Sequence, residues 1–212
     1  MPVLSHGRQW GTQDPLRNQM PLHRLLEPTK LGGTRGEVSA WITSNVLHAT
    51  SMALRMDRRC LDAIRELGPQ WRRLLLEAGD DLRQRPAPET WSALEYAAHS
   101  RDVTALHVFG VEQALTIDEP RFPEIAGVEL VERASASYAS QDPGVVWMEL
   151  EDQARTLADL AQASGPASWS RGITIGGSRS DVRLLLEHAL HDSQHHLVDV
   201  KNGLAIVRAT SY

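Results

Sequence analysis

The chain has 212 residues, enough for one substantial hydrophobic core and too few for two full domains. Its 22 basic and 27 acidic side chains leave a net charge of −5, and a net negative chain is a poor non-specific binder of nucleic acid. The single cysteine, Cys60, excludes an intramolecular disulfide, a cysteine-based zinc cluster and a CxxC redox motif, so any metal chemistry must use histidine and carboxylate ligands.

Residues 1–45 predict an irregular extension, because glycine, proline, arginine and threonine are interleaved there without a sustained apolar period. Val38 to Ala49 has the pattern of a short helix at its end, and residues 46–212 are expected to form the folded domain. The first twenty residues lack the apolar core of a secretion signal, and no apolar run approaches the roughly 18 to 20 residues of a membrane-spanning helix. We therefore expect a cytoplasmic protein without a membrane partner.

Long amphipathic segments begin at about residue 58. The first covers 58–83, and Gly68-Pro69 in its middle is expected to kink or split the helix. Ser92 and Glu95 then have the spacing of a capping box, which predicts a second helix over 92–115.

The helical pattern is weaker over 124–139 and strong again afterwards. Asp142 followed by Pro143 is typical of a helix cap with a first-turn proline, and it predicts a third main helix that ends at Ser164-Gly165-Pro166.

A glycine-rich loop over 169–180 leads to the last helix, about 181–207, with Ser180 as its expected cap. No segment shows convincing strand alternation, and Gly172 to Gly176 is at most a short extended piece. The sequence therefore predicts an all-α protein with four main helices packed as a bundle.

Four of the nine histidines lie within nine residues of the last helix. At about 100° per residue, Asp192 and His196 flank the apolar face and point inward, whereas His191 and His195 fall on the far side. Both pairs have the i,i+4 spacing that places two side chains on one face, so spacing alone does not choose between them. An inward carboxylate and imidazole are costly unless they pair with each other or bind a metal, which favours Asp192 and His196 and leaves His191 and His195 as the alternative metal site.

His99 is the best candidate for a third ligand, because it lies on a mostly apolar stripe of the second helix. The alternative is a core histidine with an ordinary hydrogen-bond partner. Three protein ligands with an open position are typical of a catalytic metal site, and imidazole ligands suit Zn or Ni.

Two motifs stand out in the sequence. The first is Trp91-Ser92-Ala93-Leu94-Glu95-Tyr96-Ala97-Ala98-His99 with the following Ser-Arg-Asp-Val, and the second is His191-Asp192-Ser193-Gln194-His195-His196 with the following Leu-Val-Asp-Val. Together they resemble the DinB/YfiT-like superfamily. This superfamily includes the metal-binding domain of mycothiol-dependent maleylpyruvate isomerase and related bacterial thiol S-transferases. The resemblance covers roughly residues 58–207. It implies a four-helix bundle that binds Zn or Ni through His99, Asp192 and His196.

The activity implied by the resemblance is metal-dependent activation of a low-molecular-weight thiol, such as mycothiol, for S-transfer to, or isomerisation of, an electrophilic small molecule. Arg171 and Arg179, in the loop before the last helix, are candidates for holding an anionic substrate or thiol, although solvated loop arginines are the simpler interpretation. Cys60 is a poor nucleophile candidate because the sequence identifies no activating partner for it.

Two other interpretations stay open. One is a non-catalytic bundle that binds metal and acts as a stress-response or dimerisation module, since fold does not fix function. The other is a metal-dependent phosphohydrolase of the HD type, suggested by the adjacent His191 and Asp192. A homodimer is compatible with either of these interpretations and with the thiol-dependent enzyme.

Overall fold

The computed structural model describes residues 58–123 and 135–210. The predicted extension over 1–45, the short helix over 38–49 and most of the weak helical stretch over 124–139 lie outside these residues. Helices dominate the described part of the chain: α1 Arg58–Arg65, α2 Leu67–Ala78, α3 Ala93–Thr116, α4 Pro143–Ser164 and α5 Val182–Thr210.

The first predicted helix is split in two, as the Gly68-Pro69 pair indicated. The break falls at Glu66, and Pro69 then lies in the first turn of α2, where a missing N–H is tolerated. Gly68 is needed for packing: a Cβ added there would lie 2.5 Å from the Cα of Glu151 in α4. Helix α2 therefore packs closely against α4.

The start of α3 is fixed by the predicted capping box. Ser92 Oγ accepts a hydrogen bond from the backbone N–H of Glu95, and the Glu95 carboxylate accepts one from the backbone N–H of Ser92. The Trp91 and Tyr96 rings lie 5.5 Å apart on either side of the cap, and Arg85 forms an ion pair with the buried Glu95. These contacts hold the first turns of α3 in place.

Helices α4 and α5 both begin at an aspartate. Asp142 caps α4 by accepting a hydrogen bond from Val145 N at 3.0 Å, as predicted. The expected cap of α5, Ser180, is wrong by one residue. Asp181 is the cap, because its carboxylate accepts a hydrogen bond from Leu184 N at 2.8 Å.

A small three-stranded sheet corrects the expectation that 172–176 would be at most a short extended piece. Its strands are β1 Arg121–Phe122, β2 Gly172–Ile175 and β3 Ser178–Asp181, with β1 parallel to β2 and β2 antiparallel to β3. Gly176 and Gly177 have positive φ and form the hairpin turn between β2 and β3. The glycine-rich loop is thus a hairpin that leads directly into α5.

All the helices contribute to one core: α3 packs against both α4 and α5, and α1 and α2 pack against α4. Trp71 of α2 is fully buried, and its Nε1 donates a hydrogen bond of 2.8 Å to Ser193 Oγ of α5. The predicted four-helix bundle is confirmed, if α1 and α2 are counted as one broken helix. Among the residues described, no helix combines the length and apolarity needed to cross a bilayer.

Candidate metal centre

His99, Asp192 and His196 meet between α3 and α5. Each offers one ligand atom, and these three atoms all lie within 4.8 Å of one another. His196 Nε2 is 3.6 Å from Asp192 Oδ1, and the rings of His99 and His196 lie 5.1 Å apart. The side chains of His196 and Asp192 are only 18% and 13% exposed. The structure therefore brings the three predicted ligands to one half-buried point, with two nitrogen donors and one oxygen donor.

A second carboxylate lies behind His196. Asp199 Oδ2 is 3.1 Å from His196 Nδ1. Because an ionised carboxylate only accepts hydrogen bonds, Nδ1 carries the proton and the lone pair is on Nε2, the nitrogen that faces Asp192. A carboxylate that orients a histidine in this way is typical of metal sites. Sequence reasoning missed Asp199, although its i,i+3 spacing from His196 was a usable signal.

The surroundings of His99 favour its neutral form. Burial lowers the pKa of His99, and the nearby charge of Asp192 opposes this shift only in part. Neutral imidazole is the form that binds a metal. The rings of Trp91 and Tyr138 lie 5.1 Å and 6.4 Å from the His99 ring, so His99 is partly enclosed by aromatic side chains.

A polar network joins α3 to α4 beside His99. The Tyr138 hydroxyl donates to Asp102 Oδ2 at 2.9 Å, and Arg101 Nε donates to Asp102 Oδ1 at 2.9 Å. The same guanidinium donates to Glu149 of α4 at 3.0 Å. Arg101 and Asp102 thus form a local pair, and its connections to Tyr138 and Glu149 tie the aromatic wall of the site to α4.

The alternative pair, His191 and His195, lies on the exposed face of α5. The two rings are 6.3 Å apart, and His195 Nδ1 is 3.0 Å from the same Asp199 Oδ2 that His196 contacts. The helical periodicity thus predicted the faces of both pairs correctly. It did not predict that one carboxylate, Asp199, contacts a histidine of each pair.

His188 lies one turn before Asp192 and contacts a histidine that sequence reasoning missed. His107 Nδ1 is 2.7 Å from the Val103 carbonyl, and its Nε2 is 3.0 Å from His188 Nδ1. Burial and the neighbouring His188 lower the pKa of His107 to about 4. His107 is therefore neutral at pH 7, donates through Nδ1 and accepts from His188 through Nε2.

The two candidate arginines have structural contacts. Arg171 donates to the carbonyls of Ala114 and Ile117 at the end of α3, at 2.6 Å and 2.9 Å. Arg179 forms an ion pair of 2.6 Å with Glu119 at the surface. Substrate binding by Arg171 and Arg179 stays a prediction.

Comparison with known proteins supports the fold. No protein-family model matches the sequence, and no curated protein matches it either. Among solved structures, YfiT from Bacillus subtilis, described as a probable metal-dependent hydrolase with an unusual four-helix bundle topology, matches with a TM-score of 0.64 and 12% sequence identity. The match covers 76% of this chain and 91% of YfiT. The chain therefore shares the four-helix-bundle fold of YfiT, the fold that its two motifs predicted.

Proposed function

We propose that the protein is a divalent-metal-dependent enzyme whose ion is held by His99, Asp192 and His196. The observation that carries this proposal is the convergence of their three donor atoms, from two helices, within 4.8 Å. Asp199 supports it by holding His196 in the tautomer that presents Nε2. Two imidazoles and one carboxylate suit Zn or Ni, and three protein ligands leave room for an exogenous one.

The chain's own residues define the chemistry of such a site. A divalent ion, when bound, lowers the pKa of a small nucleophile at its open position. Cys60, the single cysteine, is 5% exposed in α1, so we propose that the nucleophile comes from solution. The rings of Trp91, Tyr96 and Tyr138 lie beside the two histidines, so one side of the site is lined by aromatic side chains.

A low-molecular-weight thiol such as mycothiol is our first candidate for the nucleophile, acting on an electrophilic small molecule. The two sequence motifs support it, since they resemble those of thiol-dependent proteins. Water is the second candidate, favoured by the fold shared with YfiT, which is described as a probable metal-dependent hydrolase.

The HD-type phosphohydrolase finds less support in the geometry. His191 is exposed, whereas Asp192 is turned toward His99 and His196. Neighbouring residues on a helix diverge by about 100°, so the adjacent pair does not converge on one ion.

Turnover assays with the full chain separate these candidates. Protein loaded with Zn or Ni is incubated with an electrophile and a thiol, and separately with carboxylic and phosphate esters. We expect thiol consumption that stops when the ion is chelated and returns when the ion is added back. His196→Ala should lose this activity. Gln194→Ala, at an exposed position on the same helix, is the matched control and should keep it. Ester hydrolysis without thiol dependence would favour water, and phosphate-ester hydrolysis would favour the HD-type enzyme. Metal binding with no turnover would favour the non-catalytic module.

A further inference from the structure

The exposed face of α5 carries a second set of metal-ligating groups. His191, His195 and Asp199 follow one another at four-residue intervals and therefore form a stripe along one side of the helix. The His195 side chain is 63% exposed and that of Asp199 is 30% exposed. His191 and His195 are exposed and open to ions from solution, whereas Asp199 also contacts His196.

The hydrogen bond to Asp199 also orients the His195 ring for metal binding. His195 Nδ1 lies 3.0 Å from Asp199 Oδ2, so Nδ1 carries the proton and the lone pair is on Nε2. His191, one turn earlier, has its ring 6.3 Å from that of His195. A side-chain rotation within an exposed pair is enough to bring two imidazole nitrogens onto one ion. We propose that His191 and His195 form a second metal site, which we call the outer site.

The ligand chemistry defines which ions the outer site takes. Imidazole nitrogens favour Cu, Ni and Zn over Mg and Ca, which prefer oxygen ligands. The outer site has two protein ligands and is open to water on the remaining sides. It therefore binds more weakly than the site formed by His99, Asp192 and His196.

Asp199 couples the two sites. One oxygen, Oδ2, accepts from His195 at 3.0 Å and from His196 at 3.1 Å. An ion on His195 makes its Nδ1–H a stronger donor and draws the carboxylate charge toward it. His196 then receives less charge and becomes a weaker ligand. Occupation of the outer site thus lowers the metal affinity of the site formed by His99, Asp192 and His196, which we call the inner site. By linkage, occupation of the inner site lowers the affinity of the outer site by the same factor. This coupling, unlike the outer site itself, rests on the proposed function.

Calorimetric titration of the full chain with Zn or Ni tests the proposal, with variants that separate the two sites. We expect His191→Ala to bind one equivalent fewer than wild type and to keep the tight step, whereas Gln194→Ala keeps both steps. His99→Ala should lose the tight step and keep the weak one. Equal stoichiometry in wild type and His191→Ala would overturn the outer site. If wild type and His99→Ala bind alike while His191→Ala still loses one equivalent, the outer site stands and the inner site is wrong.

Discussion

Asp199 Oδ2 lies 3.1 Å from Nδ1 of His196, one turn further along the same helix. This contact makes the two nitrogens of His196 different. Nδ1 donates a hydrogen bond to the Asp199 carboxylate, and Nε2 faces Asp192 with its lone pair. Helix geometry alone produces the contact, since residues three apart are neighbours on the surface of a helix. The orientation of His196 is therefore set within α5.

Replacing Asp199 should weaken metal binding without removing a ligand. We expect Asp199→Ala to raise the dissociation constant of the tightly bound ion by about 10- to 100-fold, the usual effect of losing a carboxylate behind a histidine ligand. Competition with a chromogenic chelator measures this change. Asp152→Asn, on the exposed side of α4, is the control. An unchanged constant in Asp199→Ala would show that the Asp199 contact does not support the metal ligand.

Two glycines in helices predict opposite effects of the same substitution. Gly68→Ala places a methyl group 2.5 Å from the Glu151 Cα, and the helices must separate, so we expect a loss of about 1–3 kcal/mol in the free energy of unfolding. At Gly203 in α5 the nearest atom is Pro86 Cγ at 3.4 Å, so alanine fits and should stabilise the helix by up to about 1 kcal/mol. Urea denaturation measures both. Similar stabilities for the two variants would contradict the close approach at Gly68.

The buried His107 should make stability depend on pH. Its pKa falls from 6.5 in the unfolded chain to about 4 in the folded protein, so between these values only the unfolded chain binds the proton. The free energy of unfolding therefore decreases as the pH is lowered from about 6.5 toward 4, by about 1.4 kcal/mol per unit of pKa difference, or on the order of 3 kcal/mol in total.

Thermal unfolding in the presence of a chelator checks this dependence. The midpoint of wild type should fall more steeply between pH 7 and pH 5 than the midpoint of His107→Gln, which has no titrating group at this position. Parallel curves for the two proteins would mean that His107 titrates normally in the folded state.

The sequence was most informative where one local interaction decides the structure. Ser92 and Glu95 satisfy each other's backbone and side-chain groups within four residues, so the start of α3 was readable. The inward direction of Asp192 and His196 followed from the period of the helix. The start of α3 and the faces of α5 were therefore predictable without tertiary information.

Features that depend on contacts between distant segments were not predictable. The two-residue strand β1 forms only by pairing with β2, which lies about fifty residues later, and no pattern in the sequence indicated it. His107 finds its partner His188 across the bundle, 81 residues away. Each of these depends on how the helices and the hairpin pack.

Elemental analysis of the purified full chain, after dialysis against metal-free buffer, is the sharpest test of the assignment of the tight site to His99, Asp192 and His196. This assignment predicts about one equivalent of tightly bound Zn or Ni per wild-type chain, little or none in His99→Ala and His196→Ala, and the wild-type amount in His191→Ala. Metal retained by His99→Ala and His196→Ala but lost from His191→Ala would contradict it and would place the tight site on the exposed face of α5.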